Sequence, residues 1–141
     1  MSNFHRRMLS RFMKKRLGTA TVELAVCLPM LVTFGLGTIE TTNAIFLKQR
    51  LTTASYECAR SASAPGQTSA GATTVANNVL SQLAISGGTV TITPTVTALT
   101  SPGTPIIVKI AAPTSSNLCM PPFVVGKVIS SVTATVVMNH Q

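Results

Sequence analysis

The sequence predicts an α+β chain: one long N-terminal helix, a short second helix, then a small antiparallel sheet of about three strands. Three observations carry this. An uncharged apolar run from Leu24 to Ile39 comes directly after a basic tail. A narrow apolar stripe at helical spacing continues from Ala44 to Ala62. Beyond Gly88 the apolar period changes from helical to two, the pattern of strands with one buried face.

The first helix is set by charge and length. Of the 141 residues, 11 are Lys or Arg and 3 are Asp or Glu, a formal charge of +8. Arg6, Arg7, Arg11, Lys14, Lys15 and Arg16 all precede the apolar run, so the basic character belongs to a tail. Counted from Thr19, the segment to Ile39 is 21 residues with Glu23 its one charge. At about 1.5 Å per residue it spans roughly 30 Å, the hydrocarbon thickness of a bilayer. Basic residues ahead of such a span keep the N-terminus cytoplasmic and send the chain beyond the span across the membrane. The expected organisation is a basic cytoplasmic leader at 1–18, a single transmembrane helix at 19–40 and an exported α+β domain at 41–141. A buried core helix is the alternative, but little else in the chain is large enough to cover it on all sides.

Ala44, Leu47, Leu51, Ala54, Cys58 and Ala62 recur at spacings of three and four, with Lys48, Arg50, Glu57 and Arg60 mostly off the stripe. The pattern predicts one helix from about 20 to 63, with a transmembrane half in lipid and an exported amphipathic half outside it. Pro29 kinks it or frees a carbonyl, and Gly35 and Gly37 let another helix approach. Ala64-Pro65-Gly66 ends it. A second helix is expected at about 68–85, with Val75, Val79 and Leu83 on one face, flanked by Ala76 and Leu80, and stopped by Gly87-Gly88. A strand is expected over Thr89–Thr97, with Val90, Ile92 and Val96 inward; Pro94 places it at an edge. Ser101-Pro102-Gly103 is a turn. Ile106, Val108 and Ile110 mark a second strand, and 113–122 a loop. Val128, Val132, Ala134, Val136 and Met138 mark a third. The sheet should pack on the exported helix.

Composition narrows function. Only 10% of residues are charged, against about a quarter in ordinary soluble domains. A nucleic-acid binder would spread its charge over a folded surface; here the basic run is a leader held near anionic head groups. The chain has no Asp, and His5 and His140 stand at opposite ends, so no Ser-His-Asp set can form. No Cys-x2-Cys or other ligand spacing points to a metal. The expectation is no enzyme, no catalytic residue, no cofactor, no metal and no nucleic-acid partner. Cys27 is a small apolar residue of the span. Cys58 and Cys119 fall on the exported side, where a disulfide can form; a bridge and two unlinked thiols both remain open.

Three export signals compete for the apolar run. A signal peptide would need a cut near Thr42-Asn43-Ala44, a weak site. A lipoprotein signal at Leu24-Ala25-Val26-Cys27 fails on order, because its apolar run comes after the Cys. A cut ahead of the run fits best. The junction reads Lys14-Lys15-Arg16-Leu17-Gly18, then Thr19-Ala20-Thr21-Val22-Glu23-Leu24. A charge inside a membrane helix costs on the order of 2.5–3.5 kcal/mol on insertion scales, so Glu23 either snorkels to the interface or needs a partner.

This junction resembles the cleavage site of type IV prepilin-like proteins, where a membrane-embedded aspartic peptidase cuts after a Gly and a Glu stands fifth in the mature chain. Gly18 and Glu23 take those positions. The resemblance implies cleavage between Gly18 and Thr19. The new amino group on Thr19 would then pair with Glu23 of a neighbouring subunit.

Residues 16–65 as a whole are similar to the TadE-like family of bacterial tight-adherence (Flp) pilus assembly. The features are Gly18, Val22-Glu23-Leu24, Pro29 in an apolar run, Glu40, and the helical stretch Ala54 to Ala62; Pro122-Phe123 and Ser131–Met138 resemble the family's tail. Leu24 stands where an aromatic is usual. The resemblance implies a pilin-like fold and a minor pseudopilin or pilus-assembly protein of the bacterial inner membrane. Its partners would be a prepilin peptidase and other pilin-like subunits, with incorporation into a pilus an open outcome. The alternative is an uncleaved single-pass anchor whose exported domain binds a ligand or envelope component.

Overall fold

A computed structural model describes the backbone of residues 2–118 and 128–141, with side chains from Gly18 onward. The elements are α1 (Ser2–Ser63), α2 (Ser69–Gln82), β1 (Thr89–Thr93), β2 (Pro105–Pro113) and β3 (Ser131–Asn139). The predicted α+β order of long helix, short helix and three strands is the observed one. The chain divides into two compact units, one up to Thr38 and one from Ile39.

Helix α1 starts far earlier than the expected residue 20. It runs from Ser2 through the basic leader and through Gly18 without a break. Lys and Arg are good helix formers, and a single Gly costs only about 1 kcal/mol in a helix interior. Pro29 also lies inside the helix, its lost N–H leaving the Ala25 carbonyl without its usual donor.

In the second unit, residues 39–63 of α1 line one side of the core. Leu47, Leu51, Ala54, Cys58 and Ala62 of the predicted stripe are buried, joined by Ala59, while Ala44 is only partly buried. They pack with Ile106, Val108 and Ile110 of β2, Ala134 of β3, and Ala72, Ala76 and Leu80 of α2. The buried face of α2 is therefore centred one row from the expected one, with Val79 and Leu83 only partly buried at its margin. The small side chains of Ala72 and Ala76 allow the close approach: the Cys58 thiol donates to the Ala72 carbonyl at 3.4 Å.

Helix α2 is capped at both ends. The Thr68 hydroxyl accepts from the Gly71 N–H at 3.3 Å, an N-cap bond. At the other end Ala84 takes φ 53°, while Ile85 N–H donates to Leu80 O and Ala84 N–H to Ser81 O. This is a Schellman ending with Ala where Gly is usual. The helix thus stops at Gln82, five residues ahead of Gly87.

The sheet is antiparallel throughout, in the order β1-β2-β3. Strand β1 lies at an edge as expected but ends at Thr93; the next residue of β2 whose backbone faces β1 is Pro105, which has no N–H to extend the ladder. Val96 is still buried, held outside the strand by Ser69: Val96 N–H donates to Ser69 Oγ at 2.7 Å, and Ser69 N–H to Val96 O at 2.9 Å. Strand β3 begins at Ser131, three residues after the expected Val128, which is 83% exposed. Pairing stops there because β2 ends at Pro113, opposite Ser131. Of the predicted loop 113–122, Pro113 belongs to β2. Asn117 holds the turn before β1, its amide exchanging two 2.8 Å bonds with the Ser86 backbone.

Candidate functional site

The segment from Gly18 to Glu40 carries every residue of the expected processing and membrane site. Its chemistry begins with what it leaves uncovered. Val22, Leu24, Val26, Leu28, Met30, Leu31, Val32, Phe34 and Ile39 are all exposed, Phe34 by 71%. The segment belongs to a helix long and apolar enough to cross a membrane, and its apolar window has no buried residue. Side chains of this kind each gain roughly 1.5–3 kcal/mol on leaving water, so such a surface calls for an apolar partner. The two hydroxyls inside the run are bonded to the helix backbone, as lipid demands. The Thr33 hydroxyl donates to Pro29 O at 2.8 Å, and the Thr38 hydroxyl to Phe34 O at 2.9 Å.

Gly18 and Thr19 lie within the unbroken helix, not at a turn. The space a Cβ on Gly18 would fill is open to 4 Å, and the same holds at Gly35 and Gly37. Three positions on this helix can therefore accept a second backbone. Thr19 and Glu23 are one turn apart on one face, both exposed. Cys27 is exposed among the apolar side chains.

The two glutamates differ sharply. Glu23 is exposed in the first unit, whereas Glu40 is only 2% exposed and lies at the start of the second. Glu40 stands about two turns before Leu47, where the buried stripe begins. Its place in the family pattern is readable from sequence, and so is its inward position, since it precedes Ala44 and Leu47 at the stripe's own spacings of four and three.

Cys58 is fully buried against α2. Burial pushes its thiol up to about 11, because the thiolate would be taken out of water. Cys119 lies outside the described residues, and so does Pro122-Phe123. Among the described residues no group of three or more His, Cys, Asp or Glu could hold a metal.

Two features lie outside the expected site. The Lys48 ammonium donates to the Thr133 carbonyl on β3. His140 is 5% exposed, with neither ring nitrogen hydrogen-bonded. A sequence signal for His140 exists: the inward period of two through Val132, Ala134, Val136 and Met138 reaches 140 next. The backbone there is fastened on both sides, Gly103 N–H to His140 O at 2.8 Å and Gln141 N–H to Ser63 O at 2.9 Å.

Comparison with known proteins bears on this segment. The sequence model of the TadE-like protein family matches residues 18–60, the stretch that carries the resemblance drawn from the residues. The match covers less than half of the chain. No protein of curated function matches the chain, and no solved structure does.

Proposed function

We propose that this chain, TadE-like over residues 18–60, is a minor pseudopilin of a tight-adherence pilus. It is inserted in the bacterial inner membrane with its N-terminus cytoplasmic, cut by a prepilin peptidase after Gly18, and assembled with pilin-like subunits through residues 19–40. The observation that carries this is the uncovered apolar helix starting directly after Gly18. Cleavage there removes the six leader charges and leaves a nearly neutral subunit. Glu23, set in apolar surroundings, then gains the Thr19 amino group of a neighbour as its counter-charge.

The unbroken helix through Gly18 favours a second reading, an uncleaved single-pass anchor, since a peptidase must unwind this turn to reach the bond. Two substitutions separate the readings. Gly18→Ala should block processing and leave the leader attached. Glu23→Ala should spare processing but reduce incorporation into the pilus at least tenfold, scored by immunoblot of sheared filaments. Normal processing of Gly18→Ala would reject the prepilin reading, and normal incorporation of Glu23→Ala would reject the charge pair.

A further inference from the structure

Strands β1 and β3 form the two edges of the sheet, and only one of them is fastened. The edge of β3 is tied to α1 at both ends: the Lys48 ammonium donates to the Thr133 carbonyl, and Gln141 N–H donates to the Ser63 carbonyl. Strand β1 has no such cover. Thr104 O and Thr114 N–H, just beyond the two ends of β2, bond His140 and Ser130 on the β3 side. Successive residues of a strand aim their backbone groups to opposite sides. Even-numbered residues of β2 therefore serve β3, and odd-numbered ones serve β1. Through the register, Thr89, Thr91 and Thr93 bond β2, while Val90 and Ile92 turn their N–H and C=O groups away from the sheet. These four groups have no hydrogen-bond partner among the described residues.

The surroundings of this edge are free of charge. No Lys, Arg, Asp or Glu occurs between Arg60 and Lys109, so both α2 and β1 are neutral. Strand β1 has no charge, proline or bulge of the kind that normally blunts an edge. On its inner face Val90 and Ile92 are half-buried at the margin of the core. On its outer face Thr89, Thr91 and Thr93 are exposed.

A second β1 satisfies every one of these groups. Set antiparallel with Thr91 opposite Thr91 of the second copy, Val90 of each copy lies opposite Ile92 of the other. The outward residues then form two hydrogen-bonded pairs, which use all four groups of each strand. Either neighbouring register sets an outward residue against Pro94, which has no N–H, or against Gly88, which lies outside the strand. The inner row continues as Val against Ile and the outer row as Thr against Thr, both favourable cross-strand pairs. Lys109 is opposite Thr91 within each chain, so the two Lys109 residues stand three strand spacings apart. That is roughly 14 Å, beyond the Debye length of about 8 Å at physiological salt.

We propose that two copies of this chain join through β1, antiparallel, with a two-fold axis at Thr91 and a continuous six-stranded sheet. The contact uses the same edge on both copies, so it is isologous and closes at the dimer. It involves the second unit alone and stands whether or not residues 1–18 are removed.

The test uses the full chain in detergent, with Cys27→Ala and Cys119→Ser and the buried Cys58 kept. Adding Thr91→Cys sets two thiols at a non-hydrogen-bonded pair with Cα atoms about 4.5 Å apart, within reach of a disulfide. Mild oxidation should turn most of this variant into a linked dimer and nothing larger. Thr135→Cys, exposed on the same sheet face but on β3, should stay monomeric. Charge reads the register, since Thr89 of one copy lies opposite Thr93 of the other. Within the chain these positions face uncharged Ala111 and Ile107, so a charge there has no like-charged partner in its own sheet. Thr89→Lys with Thr93→Lys sets like charges together twice and should weaken dimerisation about tenfold by sedimentation equilibrium. Thr89→Glu with Thr93→Lys sets opposite charges together and should restore it. Circular dichroism should be the same for all variants. Monomer from Thr91→Cys, equal linking of Thr135→Cys, or dimerisation indifferent to the two charge patterns would each overturn the proposal.

Discussion

Ala84 and Cys58 show how single residues carry local cost. Ala84 sits at φ 53°, where an L-residue with a Cβ is strained by roughly 1–2 kcal/mol. Glycine removes that strain but gives back about 0.5–1 kcal/mol as unfolded-chain entropy. Ala84→Gly should therefore stabilise the second unit by about 0.5–1 kcal/mol, a rise of a few degrees in Tm, measured by circular dichroism in detergent. Cys58 acts through pH. Its folded pKa of about 11 lies above the ordinary value of 9.0. Its contribution is then fully present below pH 9 and is lost as pH rises through 11. Urea titrations at pH 8 and pH 11 should show a smaller alkaline loss in Cys58→Ala than in the parent.

At the scale of elements, the second half of α1 depends on its stripe. Leu51 is fully buried between the sheet and the rest of the core, and Leu51→Ala should cost about 2–5 kcal/mol, read as a lower urea midpoint. The stripe itself is legible in the sequence, because spacings of three and four admit one face. The strands are legible by their period, but their ends are not. Pro94 and Val128 fit the alternation, yet pairing stops where a residue lacks an N–H or a partner strand runs out. The buried face of α2 lies one row from its apolar pattern, because the small Ala72 lets the helix come within bonding reach of the Cys58 thiol. The start of α1 is hidden because the leader's charges report topology, while the same Lys and Arg residues also favour a helix. Of the site, Gly18, Glu23 and the apolar run are legible from their order. The reach of Lys48 depends on tertiary packing, whereas the inward positions of Glu40 and His140 continue the periods of the stripe and of β3.

At the scale of the whole molecule, the two units divide the work. The first carries an apolar surface that the chain does not cover. The second builds its core from α1, α2 and the sheet. Lipid and neighbouring helices are the proposed partners of the first unit. The role proposed for the chain turns on the fate of residues 1–18. The direct measurement is the intact mass of the native protein extracted from bacterial membranes in detergent. The expected result is a chain that begins at Thr19. A membrane-extracted chain that still carries the leader through Gly18 would contradict it.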